Sequence, residues 1–234
     1  MLLTYKILFI YNSENINKNN NQYNTYSMSA KSNLENFLYT NPFSICPDLA
    51  KDIIELYETE TQGKYEGVTA GGLDKNVKDT TDLVIGRQHP QWTKVYNFLE
   101  TELNKNVKEY LKQLNTKDYT NELSDREFRV VDAKVITTDA MMIQRYIKQK
   151  GRYVYHHDAS IKWETKSHRL FTFLWYLNTV EEGGETEFWG NYRIKPEIGK
   201  LLLFPACWTF PHTGRVPISD NKYIITGWLY VNGV

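Results

Sequence analysis

Hydrophobic and polar positions follow two different periods along this chain. In "PDLAKDIIELYET", Leu49, Ile53, Leu56 and Tyr57 recur at helical spacing. Pro47 suits the first helical position and Asp48 the first turn, so a helix is predicted there. In "PQWTKVYNFLETELNKNVKEYLKQL", Trp92, Val95, Tyr96, Leu99, Leu103, Val107, Tyr110 and Leu114 gather near one face and predict a long second helix. The stretch between them, "TQGKYEGVTAGGLDKNVKDTTDL", shows no such period and reads as a loop. From about residue 129 the period shortens. Eight apolar or alternating runs follow, separated by turn residues: "RVVDAKVITT", "MMIQRYI", "RYVYHHD", "RLFTFLWYLN", "TEFWG", "YRIKP", "KLLLFPA" and "KYIITGWLYV". Short strands at this density predict a β-sandwich or jelly roll, with the two helices covering one sheet. The fold class is α+β.

The N-terminal segment behaves differently. Residues 12–33 are rich in Asn and Ser and almost without apolar periodicity, so they lack the surface to offset ordering entropy. Residues 1–32 are read as a disordered Asn-rich tail, with Met28 as an alternative start. Residues 33–234 are read as one domain, in which 33–128 give helical support and 129–234 form the β core carrying the site. The apolar opening "MLLTYKILFIY" lacks a basic leader and a cleavage motif, and no run is long enough to span a membrane.

Composition changes the picture in two respects. The formal net charge is +0, which gives no support for nucleic acid or an anionic membrane held by bulk electrostatics. The two cysteines, Cys46 and Cys207, lie far apart and outside any CxxC, so they are expected to be reduced and buried in a cytoplasmic protein.

The chemistry concentrates at "YVYHHDAS". Side chains of a strand alternate faces, so His156 and Asp158 share one face and His157 points away. One imidazole and one carboxylate make part of a metal site. Of the five histidines, His212 in "FPHTGRV", after a late apolar strand, is the best third ligand. Two His and one carboxylate with open positions suit non-haem Fe(II), although zinc accepts the same set. A lone HxD is common by chance, so spacing alone does not decide. Lys222 adds weight. It opens the strand "KYIITGWLYV" on the same face as Trp228, and a lysine pointing into an apolar barrel needs an anion. The plainer alternative puts it at a wet strand end.

The C-terminal half resembles the catalytic domain of prolyl 4-hydroxylase-type 2-oxoglutarate and Fe(II)-dependent dioxygenases. The resemblance rests on "MIQRYIKQKGRYVYHHD", "RLFTFLWYLNTVEEGGETEF" and "GKLLLFPACWTFPHTGRVPISDNKYIITGW", in order, over about residues 135–232. It implies a double-stranded β-helix with Fe(II) on His156, Asp158 and His212, and 2-oxoglutarate anchored by Lys222. It also implies that Thr186 and Tyr146 help hold the distal carboxylate, that Trp228 lies beside the cosubstrate, and that Tyr153 and Arg169 face the substrate. The implied reaction consumes O2 and 2-oxoglutarate, releases succinate and CO2 and hydroxylates an unactivated C–H, with ascorbate as an accessory reductant. Gly183 and Gly184 would let the backbone turn beside the site.

The substrate implied is a prolyl residue of a peptide or protein. A free amino acid or small metabolite stays open, because fold and cosubstrate do not name the oxidised molecule. Tyr153, Tyr155, Trp175 and Trp228 are candidates to line the substrate pocket, or else core. Three rivals also stand: a cupin-type metalloenzyme without 2-oxoglutarate, a nucleic-acid demethylase (which would anchor the cosubstrate with arginine) and a non-catalytic binding module.

Overall fold

The computed structural model describes residues 33–115, 136–138 and 140–232. The Asn-rich tail and most of "RVVDAKVITT" lie outside the described residues. After a short 3-10 turn at Asn33–Phe37, the elements are β1 (Tyr39–Asn41), α1 (Pro47–Thr59), β2 (Lys64–Glu66), β3 (Lys78–Asp79), β4 (Thr81–Ile85) and α2 (Thr93–Asn115). Then come β5 (Ile136–Thr138), β6 (Met141–Tyr146), β7 (Arg152–His156), β8 (Ile161–Lys162), β9 (Ser167–Tyr176) and β10 (Thr186–Phe188). The chain closes with β11 (Tyr192–Ile194), β12 (Leu201–Pro205), β13 (His212–Gly214) and β14 (Lys222–Asn232).

Two antiparallel sheets face each other. The larger runs β1-β12-β9-β14-β6-β4-β2, with β5 beside β14 and β8 beside β9; the smaller runs β11-β10-β13-β7-β3. This is the predicted α+β jelly roll. Alternation divides the central strands of the larger sheet between two cores. Phe171, Phe173 and Trp175 of β9, with Leu201 and Leu203 of β12, join Ile53, Tyr57, Tyr96, Leu99, Leu103 and Tyr110 of the helices. Leu174 and Tyr176 of β9, with Leu202 and Phe204 of β12, pack inward with Tyr146, Phe188 and Ile224. Both faces of β9 and β12 are buried, which is why "FTFLWY" and "LLLF" read as continuous apolar runs rather than alternating ones.

The structure departs from the sequence reading in four places. The segment read as a loop holds β2, β3 and β4, and β1–β4 join the sheets, so the helical part of the chain also supplies strands. β2 and β3 are too short to display a period, and Asp82 in the middle of "TTDLVI" disguises β4, because aspartate disfavours strands. β8 and β13 were also missed, being two and three residues long. Trp175 takes the core alternative, whereas Tyr155 is neither core nor pocket lining. Trp175 faces the helices, its indole N–H donating to Ser44 at 3.0 Å. Tyr155 is 45% exposed and donates its hydroxyl to Glu187 at 2.8 Å. Finally, Cys46 is exposed at the N-terminus of α1 and Cys207 is half-buried; both are free thiols. Among the described residues no helix is long and apolar enough to cross a membrane.

Candidate metal centre and cosubstrate pocket

β7 and β13 pair so that His212 stands opposite His156. Strand β7 ends at His156, and Asp158 lies just beyond it. The alternation argument therefore selects the right neighbours, but it is Thr172 of β9 that orients the carboxylate, its hydroxyl donating to Asp158 Oδ2 at 2.7 Å. His156 Nε2 lies 3.7 Å from Asp158 Oδ1 and His212 Nε2 lies 3.6 Å from Asp158 Oδ2. Ligand atoms of the three residues all fall within 4.8 Å of one another. His157 is exposed and stands outside this group.

The imidazoles are held in one tautomer. His156 Nδ1 is 2.8 Å from the Val154 carbonyl and His212 Nδ1 is 3.1 Å from the Phe210 carbonyl. A carbonyl only accepts, so each Nδ1 carries the hydrogen and each Nε2 presents a lone pair to the shared space. Burial, reinforced by His212, pushes the His156 imidazole down to about 4. Burial works to raise the Asp158 carboxyl. The imidazoles of His212 and His156 and the Thr172 hydroxyl outweigh it and hold the carboxyl below its ordinary value. Two imidazoles and one carboxylate on a common face fit a divalent metal and leave its opposite side open.

These residues form one wall of a cavity of about 640 Å³ between the sheets. Lys222 lies in the same cavity, 1% exposed, opposite Tyr146 in the β14–β6 register. Its Nζ sits 4.8 Å from the centre of the Tyr146 ring and 5.6 Å from that of Tyr176. Among the described residues it has no ion-pair partner, and the wet-strand-end alternative does not hold. Thr186 is buried beside it, and Tyr176 donates to the Thr186 hydroxyl at 2.7 Å. That hydroxyl therefore keeps its own hydrogen for a ligand. Gly183 and Gly184 both adopt φ +74°, and a side chain at Gly184 would stand 3.5 Å from Lys222 Cδ.

Toward the other side, the Tyr153 ring stacks on His156 with centroids 3.5 Å apart. The Arg169 guanidinium lies 3.4 Å from the centre of the Trp228 ring and donates to the Asp158 carbonyl at 3.4 Å. Among the described residues the buried Trp228 indole N–H has no hydrogen-bond partner. Sequence reasoning passed over three further cavity residues: Lys78, Asp82 and Gln144. Lys78 and Asp82 form a buried ion pair at 2.6 Å. A charged residue within "TTDLVI" was the available signal, since a strand buries such a group only with a partner.

Burial depresses the Lys222 ammonium to about 7 from an ordinary value of 10.5, against a weak opposing pull from Glu185. Between these values the unfolded chain binds more protons than the folded one. The contribution of this group to ligand-free stability therefore rises with pH from about 7 to about 10.5, and its full penalty applies below about 7. Urea midpoints of the wild type and Lys222→Met, measured from pH 7 to 10, should show the wild type gaining on the variant. Parallel curves would mean that the ammonium is not desolvated.

Residues 141–230 match the family model of the 2OG-Fe(II) oxygenase superfamily. A probable prolyl 4-hydroxylase 3 of Arabidopsis thaliana is 32% identical over 122 aligned residues, covering 35% of this chain and 42% of that protein. A probable prolyl 4-hydroxylase 10 of the same plant is 36% identical over 91, covering 27% and 32%. The chain thus matches less than half the length of these curated relatives. Among solved structures, the viral collagen prolyl hydroxylase of Paramecium bursaria Chlorella virus-1, in its 2OG complex, superposes with a TM-score of 0.55. It is 16% identical over 83% of this chain and 96% of that one. A Trichoplax adhaerens prolyl hydroxylase in complex with a hypoxia-inducible-factor peptide fragment gives a TM-score of 0.57 at 18% identity, over 84% of each chain. These solved structures share the fold.

Proposed function

We propose that this chain is an Fe(II)- and 2-oxoglutarate-dependent dioxygenase that hydroxylates a prolyl residue of a peptide or protein. The observation that carries the reading is Lys222, a buried lysine with no ion-pair partner among the described residues, in the same cavity as the His156–Asp158–His212 face. A buried lysine of this kind is stabilised by an anionic ligand, and 2-oxoglutarate is a dianion that can reach both metal and lysine. A metalloenzyme that does not use 2-oxoglutarate would leave Lys222 and the donor hydroxyl of Thr186 without a task.

His156, Asp158 and His212 would hold the iron, which, with 2-oxoglutarate and O2, supplies the oxidising power for C–H hydroxylation, yielding succinate and CO2. This chain contributes geometry and dryness. Thr172 and two backbone carbonyls fix the ligand atoms. Lys222 and Thr186 would grip the distal carboxylate, and Leu174, Phe204 and Ile224 wall the cavity with apolar surface that excludes water. Tyr153, Arg169 and Trp228 would face the substrate. The unpartnered indole N–H of Trp228 offers a donor to a peptide carbonyl. The prolyl assignment is supported by the relatives' names and by the peptide held by the Trichoplax enzyme.

Anaerobic purification with Fe(II), then aerobic succinate measurement with proline-rich peptides and free amino acids, tests this reading. The expected result is peptide-dependent succinate and a peptide heavier by one oxygen at proline. Turnover with a free amino acid alone would move the substrate. Absence of both succinate and 2-oxoglutarate binding would overturn the assignment.

A further inference from the structure

A line of buried polar side chains crosses three neighbouring strands of the larger sheet. Asp82 of β4 stands opposite Gln144 of β6, and Tyr146 of β6 stands opposite Lys222 of β14. The Asp82 carboxylate accepts from Lys78 Nζ at 2.6 Å, from the Thr80 hydroxyl at 2.7 Å and from Gln144 Nε2 at 3.3 Å. An ionised carboxylate only accepts, so Gln144 must turn its amide nitrogen toward Asp82 and its carbonyl away. That carbonyl meets Tyr146, whose hydroxyl donates to Gln144 Oε1 at 3.2 Å.

The consequence lies in a single proton. A tyrosine has one O–H, and that of Tyr146 is engaged by Gln144. The contrast with Thr186 is direct: Tyr176 donates to Thr186 and leaves the Thr186 hydrogen free. A carboxylate arriving at Lys222 finds one hydroxyl ready to donate and one already committed. Gln144, Tyr146, Lys222 and Thr186 all line the same cavity.

We propose that Gln144, oriented by Asp82, is a positioning residue that competes with 2-oxoglutarate for the Tyr146 hydroxyl proton and so holds cosubstrate affinity below what the pocket could give. This rests on the cosubstrate reading of the preceding subsection. Hydrogen bonds to a charged acceptor are stronger than those to a neutral amide, so freeing the hydroxyl should tighten binding roughly three- to tenfold.

The test is an anaerobic titration of 2-oxoglutarate into the Fe(II) protein, followed by its metal-to-ligand charge-transfer absorbance, for wild type, Gln144→Met, Tyr146→Phe and the double variant. Gln144→Met spares the Lys78–Asp82 ion pair, and a thermal melt of each protein reports folding. Gln144→Leu serves if the methionine variant does not fold. Expected is tighter binding in Gln144→Met when Tyr146 is present and no change in the Tyr146→Phe background. Unchanged or weaker binding, or equal tightening in both backgrounds, would overturn the inference while leaving the proposed function standing. A wild type that binds no 2-oxoglutarate would overturn both.

Discussion

Replacing Lys222 with alanine is expected to weaken 2-oxoglutarate binding by roughly 100- to 4,000-fold while leaving iron binding nearly unchanged. Lys222 is 1% exposed, and its ammonium lies near the rings of Tyr146 and Tyr176. Its attraction for an incoming carboxylate is therefore little screened. Removing one partner of a buried ion pair costs about 3–5 kcal/mol, because the other charge is left uncompensated. At about 1.4 kcal/mol per decade this gives the stated range. Water entering the space left by the side chain pulls the effect toward the lower end. Iron binding is spared because Lys222 is not among the residues whose ligand atoms converge. The charge-transfer titration measures both quantities on one sample. A variant with wild-type cosubstrate affinity would remove Lys222 from the cosubstrate pocket.

The second large effect separates two adjacent residues of one type. His156→Ala should abolish iron-dependent turnover and stoichiometric iron binding, whereas His157→Ala should keep most of both. His156 Nε2 points into the group formed with Asp158 and His212, and its Nδ1–H is anchored on the Val154 carbonyl. His157 is exposed, so its truncation removes little packing. Metal analysis after anaerobic dialysis, alongside succinate formation, distinguishes the two. An active His156→Ala and a dead His157→Ala would mean that the chain leaves β7 one residue out of the register described above.

Much of the molecule is legible in one dimension. The two helices follow from the spacing of residues such as Ile53, Tyr57, Leu99 and Leu103, because a helix's buried face repeats within a few residues of itself. The jelly-roll core follows from short apolar runs between turn residues. The shared face of Lys222 and Trp228 follows from alternation along a single strand. In each case the information lies within one element, where backbone geometry dictates direction. The 2-oxoglutarate reading of Lys222, Thr186 and Tyr146 came instead from resemblance, since no local rule says which anion a buried lysine meets.

What the tertiary structure alone decided lies between elements. His212 approaches His156 only because β13, three residues long and invisible to periodicity, pairs with β7. Asp158 lies beyond its strand and takes its direction from Thr172 on β9. Trp175 turned out to face Ser44, 131 residues away, rather than a pocket. Lys78, Asp82 and Gln144 went unread because their significance is mutual. Asp82 looks like a turn residue until β4 aligns with β6 and brings Gln144, 62 residues on, within reach of its carboxylate. The physical reason is common to all of these. Burial of a polar group is tolerable only when a partner satisfies it, and sequence displays the group while the folded sheets supply the partner.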